Sequence, residues 1–141
     1  MDPIIGDMYA ADLQAGFLET LASLADPALT PQEALVIFQN RLRAGHRTYV
    51  ARIEQRVVGT GTLLVEKKFI HRGGLVAHIE DVAVHKDHQR KGIGAALVKH
   101  LTAEAKKLGC CRIVLDCGES VVPFFGRLGC RRQDVGLRID L

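Results

Sequence analysis

A basic loop with two glycines, residues 89–95 (QRKGIGA), is the segment of this chain best suited to hold an anion. It lies between a strand-like run, 77–84, and a helix-like run that starts at Gly92. The first N–H groups of a helix have no partner within it, and the helix dipole adds partial positive charge there. Glycine lets an anion touch the backbone because no Cβ intervenes. The order strand, basic glycine loop, helix therefore predicts a phosphate site.

Asp116 is the second group that suggests chemistry. It falls near the end of an apolar run, 111–117, that is typical of a buried strand. A carboxylate in such a place is costly unless it is paired or used. We predict a catalytic role for Asp116, and a helix-capping role is the alternative.

Upstream, the pattern predicts two helices and a hairpin. Apolar residues at spacings of four, four and three predict a first helix over 12–25, ended by Asp26-Pro27. Thr30-Pro31-Gln32-Glu33 is a capping box with proline at the first helical position, so a second helix should run to Ala44 and stop at Gly45. Strands 48–53 and 57–65, joined by polar residues 54–56, predict an antiparallel hairpin.

Downstream, the helix after the basic loop has the clearest periodicity and should run from Gly92 to Leu108, with Gly109 ending it. A short helix over 120–128 tolerates Pro123 in its first turn, and 136–141 alternates as a strand does. These elements predict an α/β (mixed α+β) fold with a parallel β-α-β core and helices on both sheet faces.

Composition limits the class of protein. A length of 141 residues, 48% hydrophobic and 25% charged, predicts one domain over 1–141 with its own core. The net charge of +3, with no basic blocks interleaved with aromatics, argues against nucleic-acid binding. No run is long enough to span a membrane and no secretory signal is evident, so we expect a cytoplasmic protein without a membrane partner. The four cysteines lack C-x-x-C spacing; we predict buried, reduced thiols with no bound metal, and the alternatives are a metal site or disulfides.

The segment 80–95 resembles the acetyl-coenzyme A site of the GNAT acetyltransferases. Their loop pattern, Gln/Arg-x-x-Gly-x-Gly/Ala, is matched by Gln89, Gly92 and Gly94, in the element order of that family. The resemblance implies a GNAT fold with a mostly antiparallel sheet and acetyl-CoA as co-substrate. It assigns the CoA pyrophosphate to the loop and the pantetheine arm to the preceding strand. The implied CoA-binding residues are Val82, Ala83, Val84, Arg90, Lys91, Gly92, Ile93, Gly94 and Ala95. The alternatives are a solvated basic loop and a strand that is simply core.

A narrower resemblance covers nearly the whole chain. Segments 68–71 (KFIH), 78–84 (HIEDVAV) and 113–117 (IVLDC) are similar to the eukaryotic-type glucosamine-6-phosphate N-acetyltransferases. Members of that family transfer acetyl from acetyl-CoA to the amine of an amino-sugar phosphate, usually as homodimers with sites near the subunit interface. In this family the acid that matches Asp116 interacts with the substrate amine and raises its nucleophilicity.

The resemblance also implies a set of residues on the acceptor side. Lys68 and His71 suit the sugar phosphate; the alternatives are a solvated turn for Lys68 and a surface histidine for His71. Glu80 and Asp81 match positions that contact sugar hydroxyls or backbone. Adjacent strand residues face opposite ways, so at most one of these two faces the ligand unless the strand is bulged.

Four positions depart from the family pattern. Phe125 stands where the family has a tyrosine that is thought to protonate the leaving thiolate, and phenylalanine has no proton to donate. Val121 replaces an asparagine, Ala25 a threonine, and Asp140 the arginine that grips the phosphate. Arg138, two residues before Asp140, would share its strand face and is the candidate substitute.

Three functions therefore stay open. The first is acetyl transfer to glucosamine 6-phosphate, and the second is the same reaction on another small amine or a protein amine. The third is a non-catalytic acyl-CoA-binding module, for which Phe125 is the only support.

Overall fold

The computed structural model describes all 141 residues. Five strands form one sheet in the order β1-β2-β3-β4-β5. Neighbouring strands are antiparallel except β4 and β5, which are parallel. The strands are β1 (Ile4–Asp7), β2 (Arg47–Ile53), β3 (Arg56–Lys67), β4 (Leu75–Val84) and β5 (Cys110–Val114). The predicted mixed sheet is confirmed, with β1 as a strand that the sequence pattern did not indicate.

The helices are α1 (Phe17–Leu21), α2 (Pro31–Arg43), α3 (Ile70–Gly73), α4 (Ile93–Lys107) and α5 (Val122–Arg127). Segment α3 is a single tight turn, because His71 and Arg72 both have left-handed backbone angles. Short 3-10 turns cover Ala10–Gln14, Lys86–His88 and Glu119–Val121. No helix is both long enough and apolar enough to cross a bilayer.

The two faces of the sheet carry different helices. On one face α1 and α2 bury Val50 and Val57 together with Phe38. On the other face α4 packs on alternate residues of the same strands, including Ala51 and Val58. Helices on both faces were predicted, and this is confirmed.

Two glycines of β3 let α4 approach closely. A Cβ on Gly59 would lie 2.8 Å from Leu97 Cδ1, and one on Gly61 would lie 2.8 Å from Leu101 Cδ1. Leu97 and Leu101 are fully buried. Side chains at these two strand positions would therefore push α4, and the loop that precedes it, away from the sheet.

The prediction of one continuous first helix is wrong. Instead of one helix over 12–25, a 3-10 turn and α1 are separated at Gly16, whose φ is 101°. The neighbouring Ala15 carbonyl accepts a 2.8 Å hydrogen bond from Val57 N, and a Cβ on Gly16 would lie 2.8 Å from Val57 O. Contact with β3 therefore breaks the helix.

The C-terminal strand predicted over 136–141 is also wrong. The tail from Cys130 onward has no strand pairing, and its apolar residues are exposed. Val135, Leu137, Ile139 and Leu141 are 84%, 94%, 86% and 119% exposed. Within one copy of the chain, no neighbouring strand offers hydrogen bonds to this segment.

The prediction of buried thiols is wrong for three of the four cysteines. Cys111, Cys117 and Cys130 are exposed and Cys110 is half-buried, and all four are free. Cys110 and Cys111 lie in β5, which is an edge strand with β4 on one side and no strand on the other, whereas Cys117 and Cys130 lie outside the strands, after β5 and after α5.

Candidate active site

Strands β4 and β5 are paired only along the first half of β4. Their parallel register runs only from Leu75 to His78, which lies opposite Val114 at the end of β5. The second half of β4, 79–84, therefore has no strand on that side. An extended ligand can hydrogen-bond there as an added strand would, which makes this half of β4 a binding edge.

A β-bulge reshapes the same half of β4. Thr60 pairs with Ala83 and Thr62 with Glu80, so Asp81 and Val82 together lie opposite Gly61. Asp81 has a φ of 51°, which is uncommon for a residue other than glycine. Such strain concentrates at functional sites.

The bulge changes which β4 side chains share a face. Val82 packs into the α4-side core, whereas Asp81 lines a cleft on the α1/α2 side. Glu80 lies opposite Thr62, whose hydroxyl faces α2. The sequence indicated that Glu80 and Asp81 could share a face of the sheet only if the strand were bulged. The bulge is present, and both residues lie on the α1/α2 side.

The basic loop opens α4 with unpaired backbone donors. Gly92 is the N-cap with a φ of 83°, and no side chain caps the helix. The first intrahelical bond runs from Ala96 N to Gly92 O, so the preceding N–H groups of the first turn are free of helix partners. Gln89 Nε2 donates to Val84 O at 3.0 Å, which ties the loop to the end of β4.

The cations of this loop are available to a ligand. Arg90 and Lys91 are exposed, and neither forms an ion pair with a carboxylate of the chain. Free amide donors, a helix dipole and two unpaired cations occur together in this loop, which makes it suited to an anion such as a pyrophosphate.

Asp116 lies two residues beyond the end of β5, and it is exposed. The expectation that an apolar strand would bury it is therefore wrong, since β5 is short and at the sheet edge. Its carboxylate makes no hydrogen bond or ion pair within the chain, so it is free to act on a ligand. The tail passes beside it, because a Cβ on Gly136 would lie 3.3 Å from Asp116 Oδ1.

Phe125 is half-buried. It packs against the α4-side core and makes an edge-to-face contact with Phe124, with ring centroids 4.9 Å apart. Phe124 in turn lies close to Gly94 at the start of α4. The two rings thus connect α5 to the loop that holds the candidate anion site.

The cations predicted on the acceptor side are held by carboxylates of the chain. Lys68 Nζ lies 3.1 Å from Glu66 Oε2, and His78 Nε2 lies 3.0 Å from Glu66 Oε1. The contact with His78, and secondly that with Lys68, lowers the pKa of Glu66. Arg138 Nε lies 2.9 Å from Asp140 Oδ1, with an 84% exposed side chain. His71 is exposed at the tip of α3.

One group was missed by the reasoning from sequence. Arg41 sits on the core-facing side of α2, seven residues after the buried Ala34 and three after the buried Phe38. Its Nη2 donates to Thr48 Oγ1 at 3.0 Å and to Thr62 Oγ1 at 2.8 Å. The spacing was the signal that could have identified an arginine on an otherwise apolar helix face.

Arg41 and Asp81 both line a cleft of about 100 Å³ between α1, α2 and the bulged strands. Thr60 and Thr62 add hydroxyls, and the other walls are apolar. These apolar residues are Met8, Leu13, Phe17, Leu18, Leu21, Leu29, Ala34, Ile37 and Phe38. Nowhere do three His, Cys, Asp or Glu side chains group as they would to hold a metal ion.

Comparison with known proteins agrees with this geometry. The Acetyltransferase (GNAT) family model matches residues 13–130. The chain belongs to the GNAT acetyltransferase family. The fold and the N-acetyltransferase activity predicted from the sequence are therefore confirmed at the level of the family.

The relatives of this GNAT acetyltransferase are similar over most of their length. It is 35% identical to glucosamine 6-phosphate N-acetyltransferase of Trypanosoma brucei brucei, over 88% of this chain and 86% of the relative. It is 34% identical to probable glucosamine 6-phosphate N-acetyltransferase 2 of Oryza sativa subsp. japonica, over 94% and 84%.

Solved structures show the same fold. The crystal structure of a Trypanosoma brucei acetyltransferase superposes with a TM-score of 0.91 at 34% identity, covering 99% of this chain and all of that one. That of glucosamine-6-phosphate N-acetyltransferase from Arabidopsis thaliana gives 0.93 at 27% identity, covering 99% of each.

Proposed function

We propose that this GNAT acetyltransferase transfers acetyl from acetyl-CoA to the amine of glucosamine 6-phosphate. The observation that carries the acceptor is the 35% identity, over 88% of the chain, to a relative that bears this activity in its name. The binding edge of β4 and the loop before α4 support the co-substrate, since together they suit an extended arm that ends in a pyrophosphate.

In this proposal the loop 90–95 binds the pyrophosphate of acetyl-CoA. Arg90 and Lys91 supply charge, and the backbone of Gly92, Ile93, Gly94 and Ala95 supplies amide donors. Residues 82–84 hydrogen-bond the pantetheine arm along the open edge of β4. The thioester would then lie near the point where β4 and β5 separate, and Asp116 lies just after the end of β5.

The reaction we propose is direct attack. The uncharged amine forms a bond to the thioester carbonyl, backbone donors stabilise the oxyanion, and the C–S bond breaks to release the CoA thiolate. Asp116 interacts with the amine and takes the proton that the nitrogen loses. Phe125 cannot protonate the thiolate, so this proton comes from solvent. Because a thiolate is a good leaving group, turnover is slowed rather than prevented.

The acceptor contacts that we propose are those implied by the resemblance. Lys68, His71 and Arg138 would serve the phosphate, and Glu80 and Asp81 the sugar. Asp81 has the best support, because the bulge turns it into the cleft. Lys68 and Arg138 would have to share their charge with Glu66 and Asp140.

The pairing of Lys68 and Arg138 with carboxylates of the chain favours a second candidate function, acetylation of another small amine or of a protein amine. Asp140 offers a negative charge to Arg138, which weakens its attraction for a phosphate. A panel of amines that includes amino acids and polyamines would show a better acceptor if this candidate is right.

The proposal includes a homodimer. The tail exposes four apolar side chains, and Phe69 and Ile70 at the start of α3 are 103% and 63% exposed. The outer edge of β5 is open as well. Unpaired edges and apolar segments are normally covered, and a second copy of the chain would cover them. Light scattering should give twice the mass of the chain, and removal of residues 135–141 should give the monomer. A monomeric full-length protein would contradict this.

We further propose that residues 1–141 form one domain, since all strands lie in one sheet. A cytoplasmic location is part of the same proposal, because the four free thiols suit a reducing compartment.

The test of the acceptor is CoA release with glucosamine 6-phosphate against unphosphorylated glucosamine. We expect kcat/KM to be at least about tenfold higher for the phosphorylated sugar, since one charge-assisted hydrogen bond contributes about that much. Equally weak activity on both sugars would overturn the assignment.

A further inference from the structure

Arg41 is a partly buried cation without a counter-ion. Its two protein partners are the neutral hydroxyls of Thr48 and Thr62, and both accept from Nη2. No carboxylate oxygen lies within 4.0 Å of it. In contrast, Arg52 of β2 is paired with Asp12 Oδ2 at 2.6 Å.

The rest of the guanidinium is free to bind. Nη2 is used, but Nε and Nη1 carry three further N–H groups without a protein acceptor. Only His46 Nδ1 is a fully buried side-chain polar atom that lacks a partner. The free donors of Arg41 are therefore accessible from outside rather than sealed in the core.

The position of these donors is fixed by the surrounding structure. Thr48 and Thr62 lie on adjacent strands, and the two bonds to Nη2 hold the arginine head against the sheet. A guanidinium that is already oriented loses less entropy when it binds an anion. The apolar walls of the cleft lower the local dielectric and so strengthen the attraction.

The size and neighbours of the cleft define what fits. About 100 Å³ holds an anionic group but not a whole sugar phosphate. Asp81, on the same cleft, would repel an anion from its own side and attract an amine or hydroxyl. One acceptor that carries both an anionic group and an amine suits this pair.

We propose that Arg41 binds the anionic group of the acceptor, the phosphate in the case of glucosamine 6-phosphate. This rests on the proposed function. Arg41 thereby supplies the positive charge for the phosphate. Lys68 and Arg138 are less suited to this role, because each is already paired with a carboxylate, that of Glu66 or Asp140. It is a specificity residue, and it selects acidic over neutral amines.

The test compares Arg41→Met with wild type on glucosamine 6-phosphate and on glucosamine. Methionine keeps the apolar stem and removes the charge. We expect KM for the phosphorylated sugar to rise at least tenfold, with KM for glucosamine and for acetyl-CoA within twofold of wild type. Arg41→Lys should restore part of the difference. The matched control is Arg43→Met, since Arg43 is exposed two residues later and contacts Asn40.

A merely structural Arg41 would give a different result. Loss of its bonds to Thr48 and Thr62 would then raise KM for both sugars alike, or lower kcat for both, and either outcome overturns the proposal. An unchanged preference for the phosphorylated sugar would also overturn it. If Arg41→Met does not fold, Arg41→Lys alone decides, because a structural role predicts no change in the ratio of the two KM values.

A binding measurement separates this proposal from the proposed function. Glucose 6-phosphate, which has no amine to acetylate, is titrated by calorimetry into the CoA-loaded protein. Binding to wild type that Arg41→Met weakens at least tenfold supports Arg41 even if glucosamine 6-phosphate proves a poor acceptor. Absence of binding to wild type, or equal binding to both proteins, overturns the role of Arg41.

Discussion

Gly136 of the C-terminal tail lies against the carboxylate of Asp116, so close that a Cβ at Gly136 would be 3.3 Å from Asp116 Oδ1. The tail therefore borders the acid that we propose takes the proton of the amine. A β-branched side chain at this point would displace either the tail or the carboxylate.

Gly136→Val should therefore lower kcat several-fold and leave the affinity for CoA unchanged. Steady-state kinetics and calorimetry with CoA would measure the two effects. Gly118→Val is the matched control, since Gly118 has an extended backbone (φ −70°, ψ 153°) and no atom within 4 Å of its Cβ position. Equal loss of activity in the two variants would show that the contact with Asp116 has no special role.

Replacement of Asp116 by alanine should lower kcat about a hundredfold, which is the scale of general-base catalysis. CoA binding should stay within about twofold, because the loop before α4 is intact. Asp134→Ala, which removes an exposed acid from the tail, is the control. Parallel losses of turnover and CoA affinity in Asp116→Ala would point instead to a structural role.

Removal of the loop cations should act on acetyl-CoA alone. In Arg90→Ala with Lys91→Ala, KM for acetyl-CoA should rise about tenfold or more, and the effect should shrink as salt screens the charges. Lys106→Ala with Lys107→Ala removes two cations from the other end of α4 and should leave KM unchanged. A comparable rise in both double variants would mean that net charge, rather than the loop, attracts the co-substrate.

Phe125→Tyr should raise kcat about three- to tenfold, because it adds a hydroxyl that can protonate the leaving thiolate. The gain should disappear as pH rises through the tyrosine pKa, near 10 in an unperturbed side chain. Phe125→Leu lacks the hydroxyl and should not raise kcat. A gain that persists at high pH would contradict proton donation.

Local signals in the sequence predicted the elements that depend on local contacts. In α2, Glu33 N donates to Thr30 Oγ1 and Thr30 N donates to Glu33 Oε1, both at 3.1 Å, as the capping box indicated. Helix α4 begins after Gly92 and ends before Gly109, whose φ of 84° is that of a terminating glycine. Each of these signals acts within a few residues, so the rest of the fold cannot override it easily.

Elements that depend on distant contacts were predicted less well. The break at Gly16 follows from contact with Val57, 41 residues later, as the hydrogen bond from Val57 N to Ala15 O shows. The tail alternates as a strand does, yet one copy of the chain provides no partner for it. A period-2 pattern reports a tendency to pair, and it does not say with what.

In the candidate site, too, residues close together in sequence could be predicted and residues brought together only by the fold could not. The loop over 89–95 could be predicted because glycines, cations and a helix start are adjacent in sequence. Arg41 was missed because its role depends on Thr48 and Thr62, which hold its guanidinium, and on Asp81, which lines the same cleft as Arg41. Only the folded sheet brings these residues together. Its charge looked like that of an ordinary residue in the last turn of a helix.

The central claim is acetyl transfer to the amine of glucosamine 6-phosphate, and the most direct measurement is identification of the product by NMR. Acetyl-CoA carrying a ¹³C-labelled acetyl group is mixed with the sugar phosphate and the protein. We expect a labelled amide on the sugar nitrogen, formed in a one-to-one ratio with free CoA over many turnovers. Release of CoA with labelled acetate alone, or no release of CoA, would contradict it.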